Sequence, residues 1–315
     1  MKPAFTARRI ARSIAIKLRI FNIVMKGDMV RICASHGTKL EFGKQWVDLV
    51  RENRVIRLSM RHLIYAPTIS ANYNVYFEPV VPERIEERLL VDYSVPKRHR
   101  YTRSGLEFEL SAFPEEDEVI DEYFRWYTPL SGDLVFDFGA HCGLSTYYLS
   151  KAVGNAGTVV AFEPDKIAYS TLLKNIKLHN LSNVTPVQAA ISEADGTATF
   201  YSEGTLGSAL KSSSNRPTVG TAYQVETITI ASACKHYGVP TFIKMDIEGA
   251  ELTVLPSARQ ILISDAIAFA IDTNHPTDGV TTDAAIEQVF RECGYITESV
   301  ITHGIVTTYG KKGSH

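Results

Sequence analysis

The sequence predicts an α/β protein: a parallel sheet covered by helices on both faces, with a strongly basic N-terminal extension. Three observations predict it. From about residue 105, short apolar runs alternate with helical patterns, which is how parallel strands and their crossover helices read. The 315 residues are 45% hydrophobic and 22% charged, globular values that exclude a collagen-like or wholly disordered chain. The longest apolar run, 266–271, is too short to cross a bilayer.

The net charge of −2 hides a split. Residues 1–62 hold 14 Lys and Arg against 4 Asp and Glu, a net +10, while the rest holds 19 against 31, a net −12. Ile10, Ile14, Leu18, Phe21 and Met25 share one helical stripe, with Arg8, Arg12, Arg19 and Lys26 opposite. Such a basic amphipathic helix over residues 1–27 suits an anionic membrane surface, a partner, or the body of its own protein. Lys17 and Arg19 interrupt what would be a secretory core, whereas a transit peptide has the same Arg-rich, acid-poor character. No zinc-finger spacing or aromatic RNA-binding signature accompanies the charge, so no nucleic-acid partner is expected. Cys33, Cys142, Cys234 and Cys293 form no C-x-x-C pair, which reads as a reducing, cytoplasmic location.

Residues 1–104 are expected to form the N-terminal helix and an extension or cap, with strand-like stretches at 55–58 and 74–77. Residues 105–315 form the α/β domain. Its strands are expected at 134–138, 158–162, 184–187, 241–245 and 267–271, with helices running to Ala152 and over 165–179, 248–263 and 283–293. Stretches 198–201 and 225–230 read as an inserted hairpin around a Gly/Ser-rich loop, 202–221. Its 204–208 part is the candidate mobile wall over an acceptor. Stretches 295–300 and 305–308 close the chain as a hairpin through His303 and Gly304.

Ligands of such sheets bind at the carboxyl ends of the strands. The first strand runs through Asp137 into the turn Gly139-Ala140-His141-Cys142-Gly143, a G-x-x-x-G spacing unlike the G-x-G-x-x-G that cradles a pyrophosphate. Asp137 suits an ammonium group better than a phosphate. The second strand ends in Glu163-Pro164, and Glu163 lies 20 residues past Gly143, the separation at which an acid meets ribose hydroxyls. Together these point to an adenosine-bearing cofactor; the competing reading makes Glu163 the cap of the next helix. At the fourth strand end, Asp246 is placed to position substrate, take a proton or hold a metal, while Glu248 and Glu251 fit the first turn of a helix.

The segments 132–143, 160–164 and 244–251 resemble the FkbM-type family of S-adenosylmethionine-dependent methyltransferases over roughly residues 105–300. The resemblance implies a Rossmann-like, seven-stranded class I methyltransferase sheet whose last strand is antiparallel. It also implies methyl transfer to an oxygen of a sugar, glycoconjugate or other small hydroxylated molecule. Asp137, Gly139, Ala140 and Gly143 would then surround the methionine end of the cofactor, with His141 and Cys142 replacing the family's more usual asparagine and aliphatic residue. Glu163 would take the ribose, Ala189 and Ala190 would border the adenine, and Asp246 and Glu248 would face the methyl. Asp272-Thr-Asn-His-Pro276 departs from the family's glutamate-x-histidine-proline, and no aspartate occurs in 227–230.

For the proton of the acceptor, His275 or Asp246 is the expected base, and His275 is the easier one if its pKa stays at the ordinary value of about 6.5. A second expectation places Mg2+ between Asp246, Asp272 and Asn274, all oxygen donors at strand ends. A nicotinamide-dependent oxidoreductase or a non-catalytic nucleoside-binding module would share the sheet. The Asn/Asp-Pro-Pro-aromatic signature of amino methylation is absent after the fourth strand, which favours an oxygen acceptor.

Overall fold

A computed structural model describes residues 26–114, 119–202, 209–210, 221–275, 281–302 and 305–313. The amphipathic stripe expected within 1–27 lies, apart from residues 26 and 27, outside the described residues, as does the 204–208 wall. The chain divides into two compact units, Met1–Val95 and Pro96–His315. The division falls before the expected 104/105 boundary because the hairpin Lys97–Arg100/Glu107–Leu110 docks on the second unit. Asn175 joins both backbone polar groups of Glu109, at 2.8 and 2.9 Å.

The first unit carries a five-stranded sheet in the order Lys39–Phe42, Trp46–Arg51, Arg54–Ser59, Arg88–Tyr93, Glu83–Ile85. The strand expected at 55–58 is present. The one expected at 74–77 is instead the helix Tyr73–Phe77. Tyr73 and Phe77, four apart, are buried while Asn74 and Val75 are exposed, so the apolar spacing is helical and the β-propensity of Val and Tyr is overridden.

The second unit is built on a seven-stranded sheet ordered Val184–Val187, Thr158–Phe162, Leu134–Phe138, Phe242–Met245, Ala268–Asp272, Ile305–Lys312, Tyr295–Thr302. The first five run parallel, and Ile305–Lys312 inserts antiparallel beside Ala268–Asp272. The central strands are buried on both faces. Phe136, Val160, Ile243 and Phe269 join the core under Ile230–Tyr237, Glu251–Ser257 and Asp283–Glu292. Val135, Val159, Phe242 and Ala268 face Val119–Tyr123 and Leu144–Val153 on the other side. This is the seven-stranded sheet with an antiparallel insertion that the resemblance implies, and its order reverses between Leu134–Phe138 and Phe242–Met245, where ligands of open sheets bind.

Two elements of this unit differ from expectation. The inserted hairpin is part of a four-stranded sheet, Ala190–Ile191, Thr221–Ile228, Gly196–Ser202 and Ala209–Leu210. Its last strand stops at Ile228 because Thr229 caps a helix, accepting from the Ser232 N–H at 3.1 Å. The helix expected over 248–263 begins at Glu251 and breaks at Ala258, just after Pro256, into Glu251–Ser257 and Arg259–Ser264.

Candidate active site

The carboxyl ends of three strands make the site. Gly139 has φ +78°, and a Cβ there would lie 1.8 Å from the Asp246 carbonyl oxygen, so the first and fourth strand ends touch through bare backbone. The Gly139 and Ala140 N–H groups both donate to Phe162 O at 3.0 Å, which binds the turn to the second strand. Gly143, at φ +91°, opens the helix Leu144–Val153.

Glu163 fastens the same turn. Its two oxygens accept from the backbone N–H groups of His141 and Asp165, each at 2.8 Å. Burial pushes its pKa up to about 7. Capping of the next helix falls to Asp165, which accepts from the Ile167 and Ala168 N–H groups at 2.7 and 3.2 Å.

Asp137 does attract an ammonium group, but that of Lys244. Its Oδ1 is 3.3 Å from Lys244 Nζ, and its Oδ2 accepts from the Ser145 and Thr146 hydroxyls at 2.8 and 2.6 Å. Lys244 Nζ also donates to Gly139 O at 2.7 Å. Both members of the pair are buried and Asp137 does not line the cavity, so it shapes the turn from beneath. Cys142 is equally buried, its carbonyl taken by Asn175 at 2.8 Å. Neither Cys142 nor His141 lines the cavity among the described residues.

An open cavity of about 440 Å³ lies at these strand ends. Gly139, Glu163 and Pro164 form one side, and Asp246, Ile247 and Glu248 another. Ala189, Ala190 and Ile191, with Phe200 and Leu210 of the inserted sheet, make an apolar wall. The expected Gly139, Glu163, Pro164, Ala189, Ala190, Asp246 and Glu248 therefore meet in one place. Phe200 and Leu210 had no local sequence signal, since only tertiary folding brings the insertion to the strand ends.

Beside the cavity sits an ionic cluster. His275 Nε2 is 3.4 Å from Asp246 Oδ1 and 3.7 Å from Glu248 Oε2, and its Nδ1 is 3.7 Å from Glu251 Oε1. Burial lowers the pKa of His275, but the charges of Glu248, Glu251, Asp246 and Asp272 outweigh it and raise the value to about 9. The expectation of an imidazole titrating near 6.5 is therefore corrected: His275 is a cation at neutral pH. Burial lifts Glu251 to about 7, and burial with the charge of Asp246 lifts Asp272 to about 6. Glu248, at φ +58°, lies in the turn before the helix. Glu251 opens that helix and reaches back to accept the Ile247 N–H at 2.9 Å. Asn274 is exposed, and its backbone N–H donates to Asp272 Oδ1 at 2.8 Å.

No helix among the described residues is long and apolar enough to cross a membrane. Residues 137–297 match the family described as the methyltransferase FkbM domain. The chain is 24% identical over 189 residues to Methyltransferase 1 of Beauveria bassiana (strain ARSEF 2860), covering 53% of this chain and 73% of that protein. It is similar in structure to methyltransferase FkbM from Methylobacillus flagellatus KT, with a TM-score of 0.44 and 20% identity over 62% of this chain and 50% of that one. The TYW2 protein of M. jannaschii, solved in complex with AdoMet, gives a TM-score of 0.41 and 14% identity over 71% of this chain and 89% of its own. The family match covers half of the sequence and includes the turn, the second strand end and the Asp246 segment, and by it the chain belongs to the FkbM family of S-adenosylmethionine-dependent methyltransferases.

Proposed function

We propose that the protein methylates a hydroxyl oxygen of a small molecule, a sugar or glycoconjugate, using S-adenosylmethionine held in the cavity at the strand ends. The observation that carries this reading is the two-ended character of the cavity: apolar at Ala189–Ile191, Phe200 and Leu210, acidic at Asp246 and Glu248. An adenine ring fits the first end, and a cationic sulfonium the second. S-adenosylmethionine supplies an activated methyl group, so the chain's own task is binding, alignment and proton handling.

Glu163 serves in two ways. Each carboxylate oxygen already takes one backbone N–H and keeps a further lone pair, which can accept a ribose hydroxyl. Asp246 lines the cavity and is the base for the acceptor hydroxyl. In the metal-free chain the His275 imidazolium faces it, with Nε2 3.4 Å from Oδ1. Lys244 and Asp137 fix the Gly139 turn from behind.

Calorimetry with S-adenosylmethionine, followed by a saccharide and glycoconjugate panel with isotopically labelled methyl donor, tests the proposal. The expected result is one bound cofactor per chain and label on an acceptor oxygen. Label on nitrogen, or no cofactor binding, overturns it.

A further inference from the structure

We infer that Asp246, Asp272 and His275 form a site for a divalent first-row transition-metal ion, such as manganese(II), cobalt(II) or zinc(II), at the acceptor side of the cavity. One ligand atom from each of the three residues can be chosen so that all lie within 4.8 Å of one another. The separation of His275 Nε2 from Asp246 Oδ1, 3.4 Å, is long for a hydrogen bond. It suits two donors each about 2.1 Å from a common ion, which stand roughly 3.0–3.4 Å apart. Glu248 Oε2, 3.7 Å from the same nitrogen, lies close enough to supply a fourth ligand atom.

Unsatisfied atoms point the same way. Asp246 Oδ1 and His275 Nδ1 are buried with no hydrogen-bond partner among the described residues. Behind the imidazole stands Glu251, completely buried, with Oε1 3.7 Å from Nδ1 and Oε2 without a hydrogen-bond partner among the described residues. Proteins orient a metal-binding histidine by a hydrogen bond from the far nitrogen to a carboxylate; Glu251 Oε1, at 3.7 Å, stands just beyond that bond, and Nε2 is the nitrogen on the Asp246 side. A divalent ion entering here would displace the proton that His275 holds in the metal-free chain and take its place among the carboxylates.

The donor set differs from the one expected from sequence. Asn274 is exposed and joins Asp272 through its backbone, so an imidazole takes the place of the amide. One nitrogen beside two carboxylates shifts preference from magnesium toward first-row transition ions. Because Asp246 belongs to both the cavity wall and the ligand set, the ion would hold an oxygen-bearing acceptor beside the cofactor. That role rests on the methyl-transfer reading above; binding of the ion does not.

The test is an electron paramagnetic resonance titration of the chelator-stripped full chain with manganese(II) alone. The expected result is one tightly held ion per chain, a pulsed-EPR modulation from an imidazole nitrogen, and at least a tenfold loss of affinity in D272N and in H275Q but not in N274A. Absence of bound manganese, absence of the nitrogen modulation, or affinity unmoved by D272N and H275Q overturns the site. The nitrogen signal is read on the wild type and so does not depend on the variants folding. Calorimetry with S-adenosylmethionine in chelator reports separately: failure there sinks the methyl-transfer reading and leaves the cation site standing.

Discussion

Gly139 and Asp246 meet backbone to backbone: an added Cβ at 139 would stand 1.8 Å from the carbonyl oxygen of Asp246 and 2.9 Å from its carbon. This contact sets the spacing of the first and fourth strand ends. Gly139→Ala must both relieve the overlap and hold an L-residue at φ +78°. The expected cost is about 3 kcal/mol, from left-handed strain and overpacking together. Cofactor binding should be lost, as read by denaturant unfolding and calorimetry.

Removing one member of the Asp137–Lys244 pair leaves a buried charge alone. Lys244→Met should destabilise the fold by about 3–5 kcal/mol. It also strips Gly139 O of its donor. A urea midpoint unchanged from wild type would contradict this account of the turn.

Asp246→Asn keeps the shape and removes the proposed base. Turnover should fall by about 10²-fold or more while the cofactor dissociation constant changes only a few-fold. Single-turnover kinetics beside calorimetry separate the two effects.

Glu163→Gln places an amide NH2 where a backbone N–H needs an acceptor, so one of two clamps is lost, at about 1–3 kcal/mol. Cofactor affinity should drop at least tenfold. The pH dependence has a definite sign. The folded-state pKa of about 7 exceeds the ordinary carboxyl value, so the native state holds the proton longer than the unfolded chain. Wild-type stability relative to E163Q should therefore decline as pH rises from about 4.5 to 7, seen as a narrowing gap in melting temperature.

His275 gives the opposite case, a base whose pKa is raised to about 9. The stability from its imidazolium is fully present below about 6.5 and is lost as pH climbs through 9. In chelator, the melting-temperature gap between wild type and H275Q should shrink over that window. A gap constant from pH 6 to 10 would contradict the charge assigned to the cluster.

Much of the catalytic unit was legible in the chain because its signals are local. The runs 134–138 and 158–162 are short, apolar and bounded by turn residues, and they form strands where expected. The closing hairpin was equally plain. Val75 and Tyr76 misled because β-branched and aromatic residues favour strands until a sheet offers Tyr73 and Phe77 a face to bury against. The helix Ile230–Tyr237 escaped notice because its apolar face is only Ile230, Ala233 and Cys234, too brief a stripe to stand out.

The sequence by itself determined the sheet, its helices and the strand-end segments that carry Gly139, Glu163 and Asp246, since hydrophobic periodicity and turn chemistry act over a few residues. Only the tertiary structure decided that Asp137 turns inward to Lys244, that Phe200 and Leu210 wall the cavity, and that His275 is ringed by four carboxylates. Burial and charge depend on which groups meet across long sequence separations, and the pKa of His275 is set by those neighbours and not by its own position in the chain.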